Sequence, residues 1–297
     1  MNILITGATG LIGTELVSSF SLAGMKVFPL ARGRSAATGG PWWNLAAGHI
    51  ELARLPPLDA VVHLAGENIA GRWTRGKMRR IRESRVHGTH VLSEALEHLP
   101  QPPKVFLCAS AIGIYGDRGD ELLDERSASG QNFLAVVCRE WEGATAPAAQ
   151  KGIRVVNLRL GMVLSLKGGA LPAMLFPFRW GLGGKVGSGH QYWSWTTLED
   201  VARSVQHALT TEELSGPVNV VSPNPVTNLE FTRALGRVLK RPTLFPLPAF
   251  VARTVFGQMA DELLLASARV RPARLVETGF QFRHPQLEPA LRDLLNR

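Results

Sequence analysis

The feature that most constrains this chain is an apolar run, Asn2-Ile3-Leu4-Ile5-Thr6, followed at once by Gly7-Ala8-Thr9-Gly10-Leu11-Ile12-Gly13 and then a helical pattern. A strand, a glycine-rich turn and a helix in that order form a phosphate cradle. Gly7 permits the tight turn, Gly10 lets main-chain N–H groups approach a pyrophosphate, and Gly13 lets the helix pack close to the strand. The helix N-terminus adds unpaired donors and a partial positive charge. The turn therefore predicts a dinucleotide site, because its context and not the glycines alone carries the signal.

The end of the second strand selects the dinucleotide. A site for NAD places Asp or Glu about 20 residues after the glycines, to accept hydrogen bonds from the ribose hydroxyls. Here the strand ends Leu30-Ala31-Arg32-Gly33-Arg34-Ser35, with no acid. A carboxylate repels a 2′-phosphate, whereas a guanidinium binds one bidentately. Arg32 thus predicts NADP(H), the alternative being a solvated strand end.

Six short apolar runs read as buried strands: Asn2–Thr6, Lys26–Ala31, Asp59–His63, Lys104–Ser110, Arg154–Leu160 and Val218–Ser222. Between and after them Leu11–Ala23, Arg75–Leu99, Phe133–Gln150, Leu198–Leu209 and Thr227–Lys240 carry helical patterns, the last with Asn228 as N-cap. The alternation predicts an α/β fold, a Rossmann doubly wound parallel sheet with a smaller, discontinuous C-terminal capping lobe. Residues 1–165 form the nucleotide-binding domain, its sheet completed by 198–222, and 166–197 with 223–297 form the lobe. A length of 297 residues accommodates both parts.

Composition narrows the function classes. Two cysteines, Cys108 and Cys138, cannot build a disulfide framework, and no His, Cys or carboxylate cluster has metal-ligand spacing. The first residues lack the basic region of a signal peptide, and no apolar run reaches ~18 residues, so a cytoplasmic protein with no membrane partner is expected. Net charge is +9, densest over Arg72 to Arg85. That cluster matches no nucleic-acid module and reads as a solvated basic helix beside an anionic ligand, the alternative being a macromolecular surface.

The TGxxGxxG spacing, Val62-His63-Leu64-Ala65-Gly66 and the stretch Leu107–Gly116 resemble the extended short-chain dehydrogenase/reductases. The phrases Leu64-Ala65-Gly66-Glu67-Asn68-Ile69, Ser84-Arg85, Trp141-Glu142, Gly187-Ser188-Gly189-His190-Gln191 and Asn219–Pro223 narrow the likeness to an atypical "epimerase family protein" branch, similar to NAD-dependent epimerase/dehydratases. The resemblance implies that Gly7, Thr9, Gly10, Leu11 and Ile12 line the phosphates and that Ala31 and Arg32 meet the adenosine ribose. It further implies that Leu64 and Ala65, followed by Gly66, pass beside the adenine and ribose. The same resemblance implies that Arg85 faces the cofactor, with Arg80 a weaker candidate, and that Met162 and Val163 lie near the nicotinamide.

The chemistry departs from that family. Its members use a Tyr-x-x-x-Lys pair, in which the lysine lowers the tyrosine's pKa. The only tyrosines, Tyr115 and Tyr192, are followed four residues on by Gly119 and Thr196. Aligning the relevant helix on Glu142 puts Leu134 in the tyrosine place and Cys138 in the lysine place. Ser110 fits the substrate-orienting Ser/Thr role. Tyr115 reads either as a buried aromatic or as a replacement acid, and Cys138 as a small core residue.

Gln191, Trp193 and Trp195 read as walls of a pocket for a ring-bearing or sugar-like ligand, or else as a hydrophobic minicore under the lobe. Two functions follow. One is hydride transfer between NADP(H) and a small carbonyl, alcohol or sugar-like substrate, with Ser110 and Tyr115 at the reacting oxygen. The other is a cofactor-binding sensor or scaffold, for which the resemblance implies a link to cell division.

Overall fold

The structure, a computed structural model, describes residues 1–33, 40–52 and 54–296. Arg34 and Ser35 lie outside the described residues. Along the chain run β1 (Asn2–Thr6), α1 (Leu11–Leu22), β2 (Lys26–Arg32), β3 (Trp42–Asn44), β4 (His49–Glu51), β5 (Ala60–His63), α2 (Arg75–Glu97), β6 (Val105–Ala111), β7 (Leu122–Leu123), α3 (Phe133–Gly143), α4 (Ala146–Gln150) and β8 (Arg154–Leu160). There follow β9 (Met162–Leu164), α5 (Ala170–Arg179), β10 (Tyr192–Trp193), β11 (Trp195–Thr197), α6 (Leu198–Thr210), β12 (Gly216–Val220), β13 (Val226–Thr227) and α7 (Asn228–Leu239). The C-terminal segment holds α8 (Ala249–Phe256), a π-helical turn (Ala260–Leu264), β14 (Arg269–Val270), α9 (Ala273–Glu277) and α10 (Leu287–Leu294).

Eight strands form one sheet in the order β12-β8-β6-β5-β1-β2-β3-β4, parallel except for β3 against β4. From β1 the chain moves to β2 on one side, then returns to β5 on the other. That reversal opens a crevice beyond the carboxyl ends of β1 and β5, where α/β sheets take ligands. The middle strands carry near-continuous apolar runs because helices cover both faces. Ile3, Ile5, Val62, Leu107 and Val156 pack toward α1 and α6, with Leu16, Phe20, Val201 and Val205. Leu4, Val61, Phe106 and Cys108 pack the other way, with Leu92, Leu96 and Trp141 of α2 and α3. Fully burying one such side chain contributes about 1.5–3 kcal/mol.

A separate core holds the lobe, where Leu171, Leu175 and Phe178 of α5 meet Phe231 and Leu235 of α7 and Leu287 and Leu291 of α10. Three local readings change. The helix expected over Phe133–Gln150 divides at Ala144 and Thr145, because Pro147 has no N–H and its ring clashes with a helical carbonyl four residues back. Thr227, not Asn228, caps α7, exchanging hydrogen bonds with Glu230 in a capping box. The β3–β4 hairpin, too short for a periodic signal, was absent from the sequence reading.

Candidate nucleotide site and the polar row behind it

The cradle is built of backbone. Gly7 has φ +68°, and a Cβ there would lie 2.8–2.9 Å from the main chain of Leu64 and Ala65. A Cβ on Gly13 would overlap the Gly7 carbonyl oxygen and come within 2.7 Å of Ala8 Cα. Both positions therefore require glycine. Gly10 caps α1 without a side chain, and the first bond into the helix runs from Thr14 N–H to the Gly10 carbonyl (2.9 Å). The N–H groups of Leu11, Ile12 and Gly13 are thus left without intrahelical partners, at the positive end of the helix dipole. Thr9 and Gly10 are exposed at this mouth.

Beside the turn lies the shelf Leu64-Ala65-Gly66, which the sequence also marked. Its position is fixed by two residues the motif reading missed. Thr6 Oγ1 accepts from the N–H groups of Leu64 (3.1 Å) and Ala65 (3.2 Å), so its own proton goes to His63 Nδ1 (2.6 Å). That direction puts the imidazole proton on Nε2. Burial, with Arg85 nearby, drops the His63 pKa to about 3, so the ring is neutral. A Thr at the end of the first strand and a His at the end of the next parallel strand, paired in register, were the available signal.

Arg32 stands exposed at the end of β2, beside Ala31, with no side-chain partner among the described residues. Arg85 is differently placed. Its guanidinium packs 3.3–3.5 Å from where a Gly66 Cβ would be, lies 5.0 Å from the Trp141 ring centre, and donates to the carbonyls of Glu67 (3.1 Å) and Ile81 (3.2 Å). It supports the shelf from beneath. Arg80 lies 3.5 Å from Glu67, which Lys77 also engages at 2.8 Å. Val163 pairs with Thr196 in register, and its carbonyl borders Gly169, which packs on Leu11. Val163 and the start of α1 are brought together by that loop.

Behind the crevice the register aligns a polar row. Ser110 of β6, Arg159 of β8 and Asn219 of β12 are direct neighbours across three strands. Glu142 of α3 closes on them. Its Oε1 accepts from Ser110 Oγ (2.7 Å) and Arg159 Nε (2.8 Å), and its Oε2 accepts from Arg159 Nη2 (2.9 Å). Arg159 Nη1 donates to the Tyr115 hydroxyl (3.0 Å), which donates to Asn219 Oδ1 (2.8 Å). Burial acts to lower the Arg159 pKa, but the bonds and charge of Glu142 outweigh it and the guanidinium ends above its ordinary range. A charge inside an apolar strand must be paired; Arg159 within Arg154–Leu160 was a legible sign of this network.

The placement bears directly on the two residues expected at the reacting oxygen. Ser110 is 2% exposed, with its hydroxyl proton on Glu142. Tyr115 is fully buried, with its hydroxyl engaged on both sides, and burial raises its pKa. Of the two readings of Tyr115, the buried aromatic describes where it lies. Glu125 joins the same network through Asn219 N–H (3.0 Å) and Arg274 N–H (3.2 Å), and burial raises its carboxyl pKa.

Leu134 and Cys138 stand on one stripe of α3 with Glu142. Leu134 packs with Trp73, Ile81 and Phe133, and with Met259 and Leu263 around the π-helical turn, so the tyrosine place is filled by hydrocarbon. Burial pushes the Cys138 thiol up to about 12, which makes it an inert core residue. Glu262 on that turn caps α3, accepting from Asn132 Nδ2 (2.8 Å) and the N–H groups of Phe133 (3.1 Å) and Leu134 (3.0 Å).

Gln191, Trp193 and Trp195, read as pocket walls or else as a minicore, lie inside the lobe. They are at most 8% exposed, and their nitrogens donate to main-chain carbonyls: Gln191 to Val186 and Leu264, Trp193 to Leu264, and Trp195 to Asn224. Of the two readings, the minicore describes where they lie, since a packed aromatic satisfies its N–H internally. Among the described residues no group of three His, Cys, Asp or Glu is placed to hold a metal, and no helix is long and apolar enough to cross a membrane.

Comparison with known proteins agrees with this geometry. Residues 3–221 match the model of the NAD dependent epimerase/dehydratase family, and residues 247–294 match a domain of unknown function (DUF1731). The chain is 43% identical over 290 residues to the epimerase family protein Mb2239 of Mycobacterium bovis, covering 97% of this chain and 96% of that one. It superposes on the crystal structure of human epimerase family protein SDR39U1 with NADPH at a TM-score of 0.91 and 34% identity, covering 100% of both chains. It also superposes on a nucleoside-diphosphate sugar epimerase from Corynebacterium glutamicum at a TM-score of 0.81 and 36% identity, covering 99% of this chain and 58% of that one. By fold, by site and by these likenesses, the chain belongs to the NAD-dependent epimerase/dehydratase family, in its epimerase family protein branch.

Proposed function

We propose that the chain binds NADP(H) across the carboxyl ends of β1, β2 and β5, and exchanges hydride with a small carbonyl, alcohol or sugar-like substrate without a general acid of its own. The observation that carries the binding is the cradle, where Gly7 and Gly13 leave no room for a Cβ and three amides at the start of α1 have no internal partner. The residues fit the nucleotide: those amides suit a diphosphate, Arg32 a 2′-phosphate, and the shelf over Arg85 an adenosine face. The human relative crystallised with NADPH supports the same reading. Bound NADPH supplies a hydride donor. This chain's residues bind and orient it, while Leu134 and its apolar neighbours offer no proton at the tyrosine place.

Ser110 and Tyr115 enter this proposal as positioning residues. Glu142, itself held by Arg159, accepts from the Ser110 hydroxyl, and Tyr115 ties the turn after β6 to β12 through Asn219. A proton for the substrate oxygen then comes from water or the substrate. A second reading, a cofactor-binding sensor or scaffold, draws on the same closed network. One experiment separates them: stereospecifically deuterated NADPH is incubated with a panel of carbonyl compounds and the products analysed for label. Transfer establishes the enzyme; tight NADPH binding without transfer favours the sensor; absence of NADPH binding removes both.

A further inference from the structure

Helix α5 is apolar on two sides. Leu171, Leu175 and Phe178 face the lobe core, while Phe176 (72% exposed) and Trp180 (73%) face outward. A helix apolar all round is ordinarily covered on all sides. The chain leaving α5 runs beside residues 242–249: Phe245 N–H donates to the Gly183 carbonyl (3.3 Å), Leu247 N–H to Lys185 (2.8 Å), and Gly187 N–H to Leu247 (2.9 Å). That pairing brings the segment after the exposed Leu182 alongside the one that carries the exposed Leu244 and Phe245, and α8 follows with exposed Phe250. Six large exposed apolar side chains on two paired segments and the helices that adjoin them are more than singly scattered ones.

The segments that carry the strip hold charge of one sign. No Asp or Glu occurs from residue 143 to 198, nor from 231 to 260, while the latter stretch carries Arg233, Arg237, Lys240, Arg241 and Arg253. The first four follow i, i+4, i+7, i+8 spacing and line an open groove with Pro242 and Thr243, and Pro242 touches Gly181 beside the strip. Arg237 pairs with Glu288 and Arg253 with Asp261, but Arg179, Arg233, Lys240 and Arg241 have no side-chain partner among the described residues.

We propose that this face docks on an anionic phospholipid bilayer, with the apolar strip in the headgroup–acyl boundary and the unpaired cations on the lipid phosphates. Large apolar side chains beside unpaired cations suit that interface. A second copy of the chain suits it less, since a two-fold contact sets the same cations against their own images. The expectation of no membrane partner rested on the lack of a spanning segment, and a protein lying on a surface needs none. This proposal does not depend on the nucleotide reading.

The test is flotation of the full chain with phosphatidylcholine vesicles, and with the same vesicles holding about 30% phosphatidylglycerol. Expected is at least about tenfold tighter binding to the anionic vesicles, lost about tenfold in W180E/F245E and in R233E/R241E. Circular dichroism and melting temperature serve as fold controls, and the surface-charge pair keeps the test open should the apolar pair misfold. Equal or absent binding to both vesicles overturns the proposal. So does binding unchanged in folded variants, or a dimer that W180E dissociates and that does not float.

Discussion

Arg32 offers the sharpest test of the nucleotide reading. It is exposed at the end of β2 and, among the described residues, has no ion pair or hydrogen bond through its side chain. Arg32→Ala therefore removes no native contact, and the melting temperature is expected to hold, as for surface changes within about 0.5 kcal/mol. A charge-assisted hydrogen bond contributes ~1.5–3 kcal/mol, and solvent screening at an exposed site puts the expectation near the lower figure. With a factor of ten for each ~1.4 kcal/mol, Kd for NADPH rises about 10- to 30-fold. Kd for NADH, which lacks the 2′-phosphate, stays within about twofold. The assay is a fluorescence titration of both nucleotides against wild type and variant at two salt concentrations, the NADPH difference shrinking at high salt. A parallel loss for both nucleotides, or a wild type that prefers NADH, refutes the assignment of Arg32 to the phosphate.

Gly13→Ala forces a methyl against the Gly7 carbonyl and Ala8 Cα, and because these neighbours are the cradle's own backbone the turn must open; calorimetry is expected to find NADPH binding weakened at least about tenfold, with a lower melting temperature. His63 is neutral when folded, with a pKa of about 3 against 6.5 for the free side chain, so the unfolded chain binds more protons between those values. Stability is accordingly full above about pH 6.5 and lost as pH falls toward 3, by up to ~5 kcal/mol from this group. Urea unfolding of wild type and His63→Asn from pH 7 to 4 measures it as the part of the pH dependence that the variant lacks. Tyr115→Phe leaves Asn219 Oδ1 and Arg159 Nη1 each short of a partner in a buried site, an expected loss of about 1–3 kcal/mol in unfolding with NADPH affinity unchanged. Loss of turnover at full stability would instead return Tyr115 to the chemistry.

The sequence was most legible where function needs backbone alone. Gly7 and Gly13 are readable because only glycine fits where main chain meets main chain. The buried strands declared themselves because helices cover both faces of the sheet, so β1 and β6 carry unbroken apolar runs, Ile3–Ile5 and Val105–Ala109. Ser110 and Tyr115 were less legible, since residue type and position matched a catalytic role while their hydrogen-bond partners lie 32 and 104 residues away. Gln191, Trp193 and Trp195 have a pocket's composition and a core's location, a distinction that only α7, α10 and the carbonyls of Leu264 and Asn224 make.

The sequence by itself determined the parallel sheet, the phosphate turn at its first helix and the basic end of its second strand, because each is written in consecutive residues. Tertiary structure decided the rest. Strand register set Ser110, Arg159 and Asn219 side by side, α3 brought Glu142 to close them, and the C-terminal turn carried Glu262 to the start of that helix. Whether a hydroxyl is free to act depends on what burial and distant partners do with its proton, and no local pattern encodes that.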